Sequence, residues 1–215
     1  MKPLVLPRLY VILDAALLTI PESECAQKLA DAGVRMLQYR HKSASSRELL
    51  ESSSRLSGLL VPRGVTFIVN DRADVASLAR ASGVHLGQED LEVEEARRII
   101  GTGKLVGVST HNLKQFQQAT ATSADYIAVG PIFSTSTKEK PNPVVGTEFI
   151  RQVRSLTHKP IVAIGGITLA RATEVIQAGA DSIAVISDIL RAADPGARAR
   201  QYVELLGTPN YAAKV

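Results

Sequence analysis

The chain has no tryptophan, a single cysteine, and aromatic residues at only 4% of its 215 positions. Each shortage removes a class of function. Proteins that hold single-stranded nucleic acid without sequence preference stack bases on aromatic side chains, and so few rings build no such platform. One cysteine, Cys25, makes no internal disulfide framework; it fits a reducing compartment and predicts a cytoplasmic protein. It lies in a segment of helical pattern, where a small core residue is expected rather than a reactive thiol. No apolar run exceeds about ten residues, against the ~20 that a membrane span needs. The amino terminus, MKPLVLPRLYVILD, is broken by Pro3, Pro7 and Arg8 and lacks a small-residue cleavage site, so no signal peptide is predicted. Zinc-type His/Cys spacing, a GxSxG elbow and a P-loop are absent too.

What is present is an ordinary globular composition, 45% hydrophobic and 21% charged, enough for one sizeable core. The net charge is +4. The basic residues are dispersed, apart from Arg191, Arg198 and Arg200, which read as a solvated face. A mild positive excess suits a small phosphorylated substrate, attracted at long range.

Eight short, β-branched apolar runs alternate with segments of helical length. The runs are LYVILD (9–14), MLQYR (36–40), TFIVN (66–70), VHLG (84–87), LVGVST (105–110), YIAVGP (126–131), PIVAIGG (160–166) and SIAVIS (182–187). They are apolar without clean alternation, the pattern of parallel strands covered on both faces. Eight strand-then-helix units predict a compact (β/α)8 barrel. An open doubly wound sheet would want a glycine-rich turn after the first strand, and LDAALLT has none. Gly33, Gly83 and Gly179 follow helical patterns and read as C-terminal caps. No linker divides the chain, so one barrel domain is expected over residues 1–215, with a loose tail at 207–215.

In such a barrel the active site gathers at the C-terminal ends of the strands. Those ends carry Asp14; Gln38, Arg40 and Lys42; Asn70 and Asp71; Asp90; Ser109 and His111; Gly165 and Gly166; and Ile186 and Ser187. After the sixth strand comes a loop with consecutive hydroxyls, Ser134, Thr135, Ser136 and Thr137, then Lys138. The types sort by chemistry. Arg40 and Lys42 share a face of an extended segment and, with Lys138, suit phosphate oxygens; a surface salt bridge is the plainer use of that pair. Asp71 and Asp90 end neighbouring strands. Two carboxylates beside bound phosphate suit Mg²⁺; a general acid/base pair is another use, and helix capping by Asp71 a third. Gly165-Gly166 and Ser187 match the barrel's recurring phosphate site. Of the other histidines, His85 reads as a satisfied core residue, His41 as pointing away from Arg40 and Lys42, and His158 as lying on the far face.

The segments QYRHK, NDRAD, HLGQED, GVSTHN, GPIFSTSTK, VAIGGI and GADSIAVIS, in this order across residues 9–190, resemble the thiamine phosphate synthase family. The resemblance implies a (β/α)8 barrel and a transferase. Its reaction joins a hydroxymethylpyrimidine diphosphate to a thiazole phosphate and releases diphosphate with the help of Mg²⁺. It implies that Gln38, Arg40, Lys42, Asn70 and Ser109 hold the pyrimidine diphosphate, with Gln38 toward the ring and Lys138 at the diphosphate. Asp71 and Asp90 would hold the metal. Thr135, Ser136, Thr137, Gly166, Ile186 and Ser187 would face the thiazole phosphate. Arg40, Ser109 and Lys138 would carry the catalysis, and residues 133–145 would close over the site. The expected partners are these small molecules, with neither nucleic acid nor membrane.

Three other readings fit less well. A thiazole tautomerase on the same fold would carry a histidine after the sixth strand, where Gly130-Pro131-Ile132 stands. A non-catalytic binder of thiamine precursors has no use for the metal pair. A phosphosugar isomerase needs a base placed over a carbonyl, and none is apparent.

Overall fold

The computed structural model describes residues 4–135 and 142–207. Eight parallel strands close into a barrel in chain order: β1 (Leu9–Asp14), β2 (Met36–Arg40), β3 (Thr66–Asn70), β4 (Gly83–Leu86), β5 (Leu105–Thr110), β6 (Tyr126–Val129), β7 (Ile161–Ile164) and β8 (Ser182–Val185). Closure leaves no unpaired strand edge. Around them run α1 (Glu22–Asp31), α2 (Ser46–Leu60), α3 (Ala73–Leu78), α4 (Val93–Ile100), α5 (Leu113–Thr120), α6 (Gly146–Arg154) and α7 (Ala172–Gln177). A four-residue helix, α8 (Ser187–Leu190), precedes the last, α9 (Pro195–Leu206). The eight predicted runs are the eight strands; the expected barrel is correct. Four ends differ because the chain turns onto the rim sooner than the apolar run stops. β6 ends at Val129 ahead of the cis Gly130–Pro131 bond, and β8 ends at Val185. Among the described residues no helix is long and apolar enough to cross a membrane.

Strand parity divides the core in two. Successive side chains point to opposite sides of a strand. Leu9, Val11, Leu13, Leu37 and Tyr39 join the large apolar layer between sheet and helices. Tyr10, Ile12, Met36, Ile68 and Tyr126 pack together inside the barrel. Both layers are closely packed: Leu13, Leu29, Leu37, Met36 and Ile68 are fully buried, each worth about 1.5–3 kcal/mol relative to exposure. Cys25 is one of the outer layer's buried residues, as expected, and burial pushes its thiol up to about 11.

Local signals set the helix ends. Ser45 and Glu48 form a reciprocal capping box at α2, and Asn112 and Asp194 cap α5 and α9. Gly33 (φ +95°) and Gly179 (φ +113°) follow α1 and α7 in the left-handed region, as predicted. Gly83 does not play that part. The left-handed residue after α3 is Arg80 (φ +54°), and Gly83 opens β4. It is glycine for space: a Cβ there would lie 2.3 Å from the Leu105 carbonyl oxygen on β5. Of the predicted tail at 207–215, only Gly207 lies among the described residues, where it terminates α9.

Candidate active site

The first quarter of the rim is built by β1, β2 and β3. Asp14, Gln38 and Arg40 share the parity of the barrel interior, and Asp14 is in register with Arg40. The Asp14 carboxylate is 2% exposed; it accepts the Ala16 N–H (3.1 Å) and an ion-paired hydrogen bond from Arg40. Lys42 pairs with Asp71 in the same way. Both cations rest in salt bridges, but only that of Lys42 is the surface bridge of the plainer reading. The two pairs are unequal. Arg40 is oriented from below by a buried carboxylate, whereas the Lys42 side chain is 55% exposed and exchanges Asp71 for another anion at little cost. Asn70 stands at the end of β3, half-buried, with the same inward parity.

Asp71 follows in the left-handed region (φ +63°), where a residue with a Cβ costs roughly 1–2 kcal/mol. Its N–H donates to the His85 carbonyl (2.8 Å). It does not cap α3; the residue ahead of that helix is Arg72, and no side chain caps it. The strained turn instead sets the Asp71 carboxylate beside that of Asp90, which accepts the Gly87 N–H (2.7 Å). Burial first, and Asp71 second, raise the Asp90 carboxyl from its ordinary value, with the Gly87 N–H and then Lys42 offsetting part of this. Two adjacent carboxylates resist joint ionisation unless a cation joins them. Among the described residues no group of three or more His, Cys, Asp or Glu gathers to hold a metal. Such a pair fits a hard divalent ion that fills its remaining positions with water and substrate oxygens.

Beneath the rim lies a row of polar groups that sequence reading largely missed. Gln38 Nε2 donates to the Tyr10 hydroxyl (2.7 Å), which meets the Tyr126 hydroxyl (3.1 Å). Tyr126 meets His85 Nδ1 (3.1 Å), and His85 Nε2 meets Ser109 Oγ (2.9 Å). His85 is buried, as expected, and it also links the core to Ser109. Its ring stacks on Tyr126 at 5.6 Å. Burial raises both phenols above their usual range. Gly107 makes the room, since a Cβ there would lie 2.0 Å from the Tyr126 ring. The available signal was parity: Tyr10 and His85 stand an even number of positions before Asp14 and Gly87.

On the opposite quarter a cavity of about 450 Å³ is lined by Thr135, Gly165, Gly166, Ile186, Ser187 and Arg191, among others. Gly165 (φ +100°) and Gly166 (φ +63°) need glycine twice over, for the left-handed backbone and for space: a Cβ at Gly166 would lie 2.3 Å from the Ser134 oxygen. Ser187 opens α8 beside them. Arg191 is exposed, as expected, and from the C-terminal end of α8 it also lines this cavity. Arg171 lines it too, its guanidinium 4.5 Å over the Phe133 ring. Ser136, Thr137 and Lys138 lie outside the described residues, as does the middle of the loop expected to close. His111 borders the site, its Nδ1–H donating to the Gly130 carbonyl (2.7 Å). His41 meets the Tyr39 hydroxyl on the outer side of β2, away from Arg40. A second hollow of about 400 Å³ between α2 and α3 lies in the outer helical layer, far from these groups.

The described residues thus bring a carboxylate pair, two cations, an amide, a serine and a glycine-lined cavity onto one end of the barrel. The sequence profile described as thiamine monophosphate synthase matches residues 9–189. The chain is 48% identical to a thiamine-phosphate synthase of Koribacter versatilis (strain Ellin345), covering 94% of this chain and 96% of that one. It is 47% identical to one of Chloroflexus aurantiacus (strain ATCC 29366 / DSM 635 / J-10-fl), covering 90% of each. Among solved structures, a thiamine phosphate pyrophosphorylase from Pyrococcus furiosus superposes with a TM-score of 0.83 at 35% identity, over 93% of this chain and 97% of that one.

Proposed function

The chain belongs to the thiamine monophosphate synthase family, and from that premise we propose how its rim carries out the condensation. The protein is a transferase that joins a hydroxymethylpyrimidine diphosphate to a thiazole phosphate. Gln38 and Ser109 take the pyrimidine ring, and Asn70, Arg40, Lys42 and Lys138 take its diphosphate. Asp71 and Asp90 hold Mg²⁺, which supplies Lewis-acid neutralisation of the diphosphate oxygens. Gly166, Ile186, Ser187 and Thr135 hold the thiazole phosphate in the glycine-lined cavity, and Ser136 and Thr137 serve the same phosphate.

The C–O bond between pyrimidine methylene and diphosphate breaks first, and its electron pair leaves on the diphosphate. Arg40, preset by Asp14, and Lys42, released from Asp71, meet the charge as it develops, and such preorganised charges contribute most to catalysis. The thiazole nitrogen then forms the new C–N bond with its own lone pair. No general base is needed for this step. Residues 133–145 cover the site and keep water from the cation. We place the enzyme in the cytoplasm, a reading supported by one buried free cysteine.

The observation that carries the mechanism is the Asp71–Asp90 pair held beside Lys42 by a strained turn. Purified protein supplied with the pyrimidine diphosphate, thiazole phosphate and Mg²⁺ is expected to form thiamine phosphate and diphosphate in equal amounts. Chelation, Asp71→Ala or Lys138→Ala is expected to abolish both products. Turnover that survives chelation and Asp71→Ala would remove the metal from the mechanism. Tight binding of the precursors without any product would make the protein a binder.

A further inference from the structure

The polarity of the buried row can be derived from its inventory of protons. Gln38 Nε2 only donates, and it does so to the Tyr10 oxygen. Tyr10 keeps one proton, and its other hydroxyl neighbour is Tyr126. A bond in that direction leaves Tyr126 to donate its own proton to His85 Nδ1. His85 then carries its hydrogen on Nε2 and donates to Ser109 Oγ. The Ser109 hydrogen is left to point away from the row. With Gln38 so placed, the reverse order strands the Tyr10 proton without an acceptor inside the barrel, where Tyr10 is 1% exposed and Tyr126 fully buried. Burial keeps both phenols protonated, so the count holds. The row is also held sterically, by the stacked His85 and Tyr126 rings, the edge-on Tyr10 ring and the missing Cβ of Gly107.

We propose that Tyr10, Tyr126 and His85 are positioning residues that set the substrate-facing hydrogen-bond code, an acceptor at Gln38 Oε1 and a donor at the Ser109 hydroxyl. This rests on the placement above of the pyrimidine ring over Gln38 and Ser109. A 4-aminopyrimidine matches the code, because its exocyclic amine donates and its ring nitrogens accept. A 4-oxopyrimidine offers an acceptor where the amine would donate and loses the match. The three residues touch neither the leaving group nor the attacking nitrogen. They act by coupling Gln38 to Ser109: a turned amide would reverse every bond in the row together, put the hydrogen of His85 on Nδ1 and exchange the two substrate-facing roles.

The direct test is the tautomer of His85 in the ¹⁵N-labelled full-length protein, read at neutral pH without ligand from long-range ¹H–¹⁵N correlations. Its signals are identified by their loss in His85→Gln, or directly in a protein whose His41, His111 and His158 are changed to Gln. The Nε2–H tautomer is expected. An Nδ1–H tautomer, or hydrogen on both nitrogens, overturns the proposal. The second arm measures the Ki of the 4-oxo diphosphate analogue against the KM of the 4-amino substrate. Tyr10→Phe is expected to narrow that ratio about tenfold, the cost of one buried unpaired polar group. An equal loss toward both compounds would mark Tyr10 as structural and sink the specificity claim. The arms separate the two readings: a protein without synthase activity defeats the functional premise, and the tautomer still decides the polarity.

Discussion

Burial and the neighbouring Asp71 strengthen the hold of Asp90 on its proton. The folded chain therefore keeps that proton to a higher pH than the unfolded chain does. The penalty of its charge is absent below the unfolded value, near ~3.9, and complete above the raised folded one, so this group's contribution to stability falls as pH rises between the two. Asp90→Asn keeps an acceptor for the Gly87 N–H and removes the charge. In metal-free buffer it is expected to raise Tm at neutral pH, with the gain shrinking as the pH approaches ~4. Added Mg²⁺ is expected to raise the Tm of the parent protein and leave that of the variant unchanged; thermal melts with and without chelator read both. That Asp71 and Asp90 bear on one chemistry was legible from their positions after β3 and β4. That they could approach each other was legible too; how they do so was not, because Asp90 sits four residues past its strand and its approach depends on the Gly87 turn and the left-handed Asp71.

At the scale of elements, the helices are held by devices that the sequence states locally. The capping box of α2 is one: Ser45→Ala is expected to lower unfolding free energy by about 1 kcal/mol, read as a shift in the urea midpoint, with activity unchanged. The strands depend on fit between neighbours. Gly107 on β5 yields its side-chain space to Tyr126 on β6. Gly107→Ala is expected to destabilise by about 1–3 kcal/mol, the cost of overpacking, and to raise KM for the pyrimidine diphosphate by displacing the row that ends at Gln38 and Ser109. A midpoint shift without any change in KM would uncouple the row from substrate binding. Helix C-caps at Gly33 and Gly179 could be read from the chain, but Gly83 could not be told from them. A glycine needed for its φ and one needed for its missing Cβ look alike until the facing strand is in place.

For the molecule as a whole, barrel closure is what makes a site. Asp14 and Ser187 are separated by most of the chain, yet β1 pairs with β8 and sets the two quarters of the rim around one opening. Both proposed substrates are anions and the chain carries a net charge of +4. Charges further apart than about 8 Å are screened at physiological ionic strength. Raising salt is expected to raise KM for both substrates with kcat little changed, in initial rates at fixed Mg²⁺; a fall in kcat alone would place the salt effect on the chemical step. Ligand occupancy adds stability by mass action, so saturation at about a hundredfold over Kd is expected to contribute about 2.7 kcal/mol per site, seen as a Tm increase.

The order of apolar runs by itself determined the barrel, since eight buried parallel strands joined by helices have few ways to close, and burial parity is a local property of each run. The strand-end positions likewise determined which residues were candidates for the rim, because the C-terminal ends of parallel strands share one side. Only the tertiary structure decided what those residues meet. The Asp14–Arg40 pair, the opposed Asp71 and Asp90, the inclusion of Arg191 in the cavity and the Gln38–Tyr10–Tyr126–His85–Ser109 row all join side chains from different strands or loops. Their distances depend on strand register and on how closely glycines let neighbouring backbones approach, and neither quantity is written in the spacing of residues along one strand.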